Sequence, residues 1–284
     1  MTHAYGWNKS KENHAEMVKT QLRFDLSDFM DVAVPNEVNN FGKVPVKDQD
    51  GQGACTGFSR STVEELLNLN DTHKYTRLSA AAAYIWNQMC SDCYGADDGA
   101  SIAGSVAAAA KYGICRDELM PFTEEYNPNI PAAATAEGIQ HLIGSHSVLT
   151  SSRQIRQYIG TAGLVQLGTP VGVHFETCPG VLTLNMVECD AKNMLGGHAL
   201  PIIGYLLPET VESFGLDVPK TEGPYLFDIQ NSWTDQWGYQ GHCFATKSAI
   251  DYLCELIGQG EVSMAGYSQL QDFNNPSMRL NWKL

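Results

Sequence analysis

The sequence predicts an α+β protein, mainly helical in its first half and mainly stranded in its second, as one large domain or two small ones. Helical periodicity carries the first half. After Cys55 the apolar residues Phe58, Val63, Leu66, Leu67 and Leu69 recur at roughly helical spacing, with Ser59, Arg60, Glu64 and Glu65 between them. Short strand-like runs carry the second half, in Pro170 to Phe175, Ala199 to Leu206 and Tyr225 to Gln230. Pro128 to Pro131 and the Ala-rich stretch after it mark the crossing from the helical part to the stranded part.

Residues up to about Leu22 are polar and charged, with no obvious partner for a core, and Arg23 to Met30 alternates as an extended lead-in would. Ser79 followed by Ala80 to Met89 reads as a Ser-capped helix with Tyr84, Ile85 and Met89 on its buried stripe. Ser101 to Lys111 is a second, Ala-rich helix, and Gly113 stands where a C-cap is expected. Gln154 to Gly163 suits a short helix. Pro208 to Gly223, rich in turn formers and acidic residues, reads as an insertion between two strands. The chain accordingly divides into an N-terminal extension (1–22), a helical lobe (23–135), a stranded lobe (136–250) and a C-terminal extension packing back on the body (251–284).

Composition excludes several classes of function. A net charge of −14 opposes binding to nucleic acid or to an anionic membrane, both of which call for basic patches. No run approaches the length of a membrane span. Met1 to Lys9 lacks the apolar core of a secretory signal, which favours a cytoplasmic location and reduced thiols for the eight cysteines. Cys90 and Cys93 form one Cys-x-x-Cys pair with no second pair at zinc spacing, so neither a metal nor another cofactor is expected.

Chemistry concentrates in the loop from Val46 to Ser59, where a Gly-rich stretch delivers Cys55 to a helix start. Unpaired backbone N–H groups and the positive end of the helix dipole favour a thiolate there. Alone, Cys55 is equally well a small buried hydrophobe. Two later stretches shift the balance: Leu195 to Tyr205, with His198 at the mouth of an apolar strand, and Phe227 to Gly241, containing Asn231-Ser232-Trp233 and Trp237-Gly238-Tyr239-Gln240-Gly241.

In these three motifs the chain resembles the papain-like cysteine peptidases. Gln49 lies six residues before Cys55 (55 − 49), His198 lies 143 after it (198 − 55), and Asn231 follows 33 later (231 − 198). The resemblance covers roughly Phe24 to Phe244. It implies a papain-like two-lobed fold, a helical lobe against an antiparallel β-barrel lobe, with the active-site cleft between them. It also implies Cys55 as nucleophile and His198 as its ion-pair partner and proton donor. Asn231 would orient the imidazole, and the Gln49 side chain with the Cys55 N–H would hold the oxyanion. Such a cysteine–histidine pair can bring a thiol to a pKa of ~3–4. Trp233 would shield the His198–Asn231 bond, Asp98 and Gly99 would meet the substrate backbone, and Gly197 stands before the histidine where relatives have Asp or Asn. The other histidines, His3, His14, His73, His141, His146, His174 and His242, read as satisfied polar groups.

Further departures from the family follow. Gln52 replaces a cysteine that many relatives bridge within the lobe, and Thr56 stands where papain itself has a large aromatic. The start Tyr5-Gly6-Trp7 resembles bacterial members that lack a propeptide, and ~20 residues fall short of a conventional inhibitory one, so no conventional zymogen is expected. The expected partner is a peptide or protein substrate, and the protein itself is expected to be a monomer. A transpeptidase or ligase uses the same acyl-enzyme and is the nearest alternative. A catalytically dead peptide-binding module commonly loses the nucleophile, whereas all four parts are present here. Cell-wall amidases with Cys and His do not share the Gln49 spacing or Asn231-Ser232-Trp233.

Overall fold

The computed structural model describes residues 4–9, 30–161 and 163–272. The lead-in at Arg23 to Phe29 and the histidines His3 and His14 lie outside the described residues.

Helix α1 (Cys55–Thr72) runs through the first lobe, with α2 (Ala80–Met89) and α3 (Ile102–Lys111) beside it. The caps form as their residue types dictate: Ser79 Oγ accepts from Ala82 N, and Ser101 Oγ accepts from Gly104 N. Gly113 takes φ +65° just past α3, a left-handed position where a side chain would also strike the Gly138 carbonyl. Of the stripe read on α2, Tyr84 and Ile85 are buried, but Met89 is 41% exposed at the last turn.

Helix α1 is buried on more than its apolar face. It lies between α2 and the sheet, so Arg60, Glu64 and Glu65 are buried as well. Their charges are met locally. Arg60 Nε donates to Glu64 Oε1 at 2.7 Å, its guanidinium also reaches Asn87 Oδ1 and the Gly113 carbonyl, and Lys47 Nζ lies 2.8 Å from Glu65 Oε1. Pairing of this kind is the condition for placing such groups in a core.

The second lobe follows a short helix, α4 (Ala132–Gly138). Its elements are β1 (His141–Val148), α5 (Ser152–Thr161), β2 (Gly163–Val171), α6 (Val173–Glu176), β3 (Val181–Leu182), α7 (Leu184–Lys192) and β4 (Gly196–Leu206). Then come α8 (Pro208–Glu212), β5 (Leu226–Gln230), β6 (His242–Thr246), α9 (Lys247–Ile257) and β7 (Ser263–Asp272). The seven strands form one sheet in the order β1-β7-β2-β4-β5-β6-β3. The pairings are antiparallel except β3 with β6, which is parallel. The sheet is therefore mixed at one edge, where a wholly antiparallel barrel was expected.

Three further details depart from the sequence reading. The run Pro170 to Phe175 is strand only to Val171. Asp190 then accepts from the backbone N–H groups of His174 and Phe175, turning Val173–Glu176 into a helical turn. The Pro208 to Gly223 stretch contributes a short helix and buries Val211 and Val218 beside Phe244. Near the C-terminus, β7 sits inside the sheet between β1 and β2, and α9 spans position 250.

Residues 4–9 return to the body at the face where α1 meets β4. Trp7 is 5% exposed and belongs to the main core, so the described part of the polar N-terminal stretch, residues 4–9, does have a core partner.

Candidate active site

Backbone bonds between the lobes set the positions of the predicted residues. Gln49 N donates to Ser232 O at 2.9 Å and Thr234 N donates to Lys47 O at 3.2 Å, stitching the loop before α1 to the loop after β5. Strand β4 presents His198 opposite Thr169 of β2. Asn231 leaves β5 with its N–H on Gly241 O at 2.8 Å.

His198 Nε2 lies 2.8 Å from Asn231 Oδ1, both side chains buried. An amide oxygen only accepts, so Nε2 carries a hydrogen and Nδ1 is the nitrogen for proton exchange. Ser232 N also donates to Asn231 Oδ1 at 2.8 Å, fixing the amide. Trp233 stacks on the imidazole with ring centroids 4.7 Å apart and 27° between planes. Phe175, carried by the α6 turn, adds an edge contact to both rings.

Cys55 opens α1, wholly buried, among the backbone N–H groups of Ala199, Gly6, Thr56 and its own. Those donors favour a thiolate, as a helix start should, but burial outweighs them and pushes the thiol up to about 12. The low value expected from the sequence is thus not that of this state, and the cause is what covers the sulfur.

The cover is the chain's own N-terminal segment. Ala4 to Lys9 crosses the face between α1 and β4 as an extended strap. Trp7 N donates to Gly197 O at 3.0 Å, Ala100 N donates to Gly6 O at 2.8 Å, and Asn8 N donates to Ala100 O at 3.0 Å. Asn8 Nδ2 donates to Asp98 O at 2.5 Å, and the Tyr5 hydroxyl donates to Glu176. Gly6 passes so close to the Gly53 carbonyl that a Cβ would lie 1.7 Å from its oxygen. The Trp7 indole rests on Gly168 and Gly197, where side chains would meet it at 2.2 Å and its backbone at 2.4 Å respectively. Glycines at both positions make the hollow that holds it.

Gln49 is buried, with Oε1 accepting from Ser232 Oγ at 2.6 Å. Its Nε2 donates to Gln52 O at 2.9 Å and to the strap carbonyl of Ala4 at 3.2 Å. The donor expected to hold an oxyanion thus already faces a peptide carbonyl.

The structure brings Cys55, His198, Asn231, Gln49 and Trp233 to one face and gathers Asp98, Gly99 and Gly197 around the strap. Gly99, at φ +76°, leaves room for Gly6, but the paired backbone bonds come from its neighbour Ala100. Ala100 and Gly168 went unread because backbone groups and an absent side chain leave no chemical signature. Elsewhere, His174 pairs with Asp190 and His242 with Asp228. None of the eight cysteines is in a disulfide, and no His, Cys, Asp and Glu cluster among the described residues could hold a metal. No helix among them is long and apolar enough to cross a membrane.

The family model for papain family cysteine proteases matches residues 34–261. Falcipain-2a of Plasmodium falciparum is 23% identical over 235 residues, which cover 81% of this chain and 44% of that protein, so the chain spans less than half of that relative's length. Xylellain, a cysteine protease from Xylella fastidiosa, has a similar structure, with a TM-score of 0.71 at 16% identity over 94% of this chain and 96% of that one. The Amb a 11 cysteine protease of ragweed pollen, in its proform, gives 0.65 at 18% identity over 93% and 76%. At these identities the structural likeness speaks for the fold. The family model spans most of the chain, from before the Gln49 loop to beyond Asn231, and the chain belongs to the papain family of cysteine proteases.

Proposed function

We propose that this protein is a cysteine peptidase whose cleft is closed, in the state described, by its own residues 4–9. The observation that carries this reading is the strap itself: an extended peptide lies over Cys55, backbone-paired to Gly197 and Ala100, with one carbonyl on Gln49. A face that holds its own main chain in this way is built to hold a polypeptide. A substrate would use the same backbone groups once the strap has left.

With the cleft open, the Cys55 thiol passes its proton to His198 Nδ1 and the sulfur attacks the scissile carbonyl carbon. Negative charge then develops on the carbonyl oxygen, where Gln49 Nε2 and the Cys55 N–H donate to it. His198 returns the proton to the departing amine as the C–N bond breaks, leaving a thioester on Cys55. Water attacks that thioester, with His198 accepting its proton, and the acid leaves as the thiol is restored. Asn231 keeps the imidazole in the tautomer that exposes Nδ1, and Trp233 covers their hydrogen bond. The hollow floored by Gly168 and Gly197 suits a large aromatic residue of the substrate, since an indole already fills it.

The test is a peptide-library digest read by mass spectrometry, with Cys55→Ala beside the native chain. Native protein should cleave, with aromatic residues enriched near the scissile bond, and take up one equivalent of a thiol-directed epoxide at Cys55. Cys55→Ala should do neither while unfolding at the native temperature. Labelling at Cys90 or Cys115 accompanied by loss of activity would move the nucleophile elsewhere.

A further inference from the structure

The nucleophile loop of this chain has no covalent tie, since Gln52 occupies the position from which many relatives bridge it. The neighbouring residue shows what holds the loop instead. Gly53 N–H points at the Asp97 carboxylate, 3.1 Å from each oxygen. Asp97 Oδ1 also accepts from the Tyr84 hydroxyl at 2.6 Å. That phenol is fully used: its one hydrogen goes to Asp97, and its oxygen accepts from Gly99 N and Gln88 Nε2, each at 3.0 Å. Tyr84 is itself buried on α2. Asp97 is therefore held by a fixed hydroxyl and in turn grips the loop ahead of α1.

What the grip controls follows from peptide geometry. The Gly53 N–H belongs to the same peptide plane as the Gln52 carbonyl. In a trans peptide the two point in opposite directions, so anchoring one aims the other. The Gln52 carbonyl is the oxygen that accepts from Gln49 Nε2 at 2.9 Å. The chain of contact runs from Asp97 through the Gln52–Gly53 peptide to the Gln49 amide, and Ser232 Oγ holds the other end of that amide.

We infer that Asp97 is a positioning residue for the oxyanion site, acting through the Gln52–Gly53 peptide to aim the Gln49 side chain. It touches neither the thiol nor the imidazole. The inference rests on the peptidase reading for its kinetic consequence, but its structural part stands apart from activity. A displaced peptide plane would leave Gln49 off target. A misplacement of ~1 Å in a catalytic constellation costs roughly a hundredfold in rate.

The experiment compares Asp97→Ala and Asp97→Asn in the full chain carrying Trp7→Ala, so that the strap's hold is not what is read. Three quantities are measured: steady-state peptide hydrolysis, alkylation of Cys55 by iodoacetamide, and hydrogen exchange at the Gly53 amide. Alkylation displaces iodide at a saturated carbon and develops no oxyanion, so it reports the thiol and imidazole alone. Asp97→Ala should lower kcat roughly a hundredfold while KM and the alkylation rate stay near their starting values. Gly53 exchange should quicken by about tenfold or more once its acceptor is gone. Asp97→Asn keeps an oxygen able to accept from both Gly53 N and Tyr84, and should recover a large part of kcat. Unchanged hydrolysis with unchanged Gly53 exchange overturns the inference, as does alkylation falling in step with hydrolysis. If the parent cleaves no peptide at all, the peptidase reading fails and the Gly53 exchange alone decides whether Asp97 grips the loop.

Discussion

Replacing Trp7 with alanine should release the strap, and the size of the effect can be worked from its contacts. The indole is 5% exposed and rests on two glycines, so its loss removes a nearly complete burial. Truncating a buried tryptophan costs about 3–5 kcal/mol. Against this, Trp7 Nε1 is buried with no hydrogen-bond partner among the described residues. Freeing such a group returns about 1–3 kcal/mol. The net loss is then about 2 kcal/mol, which shifts the closed-to-open equilibrium roughly 30-fold toward open.

The assay is alkylation of Cys55 by iodoacetamide, followed by peptide mapping because the other seven cysteines are also outside disulfides. At neutral pH the native rate is the open-state rate multiplied by the open fraction, so Trp7→Ala should react roughly 30-fold faster. The pH dependence fixes the sign. Burial raises the thiol to about 12 in the closed state. In the open state the helix start and imidazole hold it no higher than a free thiol, ~8.5. A group raised on closure favours the closed form fully below its open-state value, and that preference is lost as pH rises through the interval up to about 12. The native rate should therefore climb steeply with pH across that interval, and the ratio of variant to native should shrink. Equal rates for the two proteins at neutral pH, with both folded, would refute the idea that the strap gates the thiol.

In the Trp7→Ala background, His198→Ala should abolish acylation and Asn231→Ala should slow it without stopping it. Gln49→Ala should cost ~100- to 1,000-fold in turnover with little change in KM, as measured by single-turnover kinetics on one fluorogenic peptide. Gly168→Val, which would put methyl groups where the indole now lies, should shift the library cleavage profile from large aromatic residues toward small ones.

The proposed catalytic side chains are the part of the candidate site that was legible in the sequence. Cys55, His198, Asn231 and Gln49 are residue types that the proposed reaction would need, each inside a local pattern of its own. Helices α2 and α3 were legible for a similar reason, since Ser79, Ser101 and Gly113 mark their ends by local hydrogen bonding. What the sequence concealed depends on contacts between distant segments. Nothing at Tyr5-Gly6-Trp7 says that it will lie between Gly53, Ala100 and Gly197. The raised Cys55 thiol could not be foreseen without that cover. The spacing of Arg60 and Glu64 between the apolar residues of α1 does not reveal that they are buried, and only the tertiary packing shows them paired inside. Val173–Glu176 looked extended because the helical turn is imposed by Asp190, remote in sequence.

If strap and substrate draw on the same groups, as proposed, the two roles are separable. Gly168 is the clearest case. A side chain there meets the Trp7 indole at 2.2 Å, so enlarging the residue pushes against the closed state. The same enlargement fills the hollow that an incoming aromatic residue would need. Alkylation of Cys55, which needs only an open cleft, should therefore speed up in Gly168→Val, while kcat/KM for an aromatic substrate should fall. Trp7→Ala should raise both, because it empties the hollow without narrowing it. A strap that merely rested on the surface would leave alkylation unmoved in both variants. A hollow unrelated to substrate would let hydrolysis follow alkylation upward in both. Opposite signs in Gly168→Val, set against matching signs in Trp7→Ala, arise only if one hollow serves both the closing segment and the substrate.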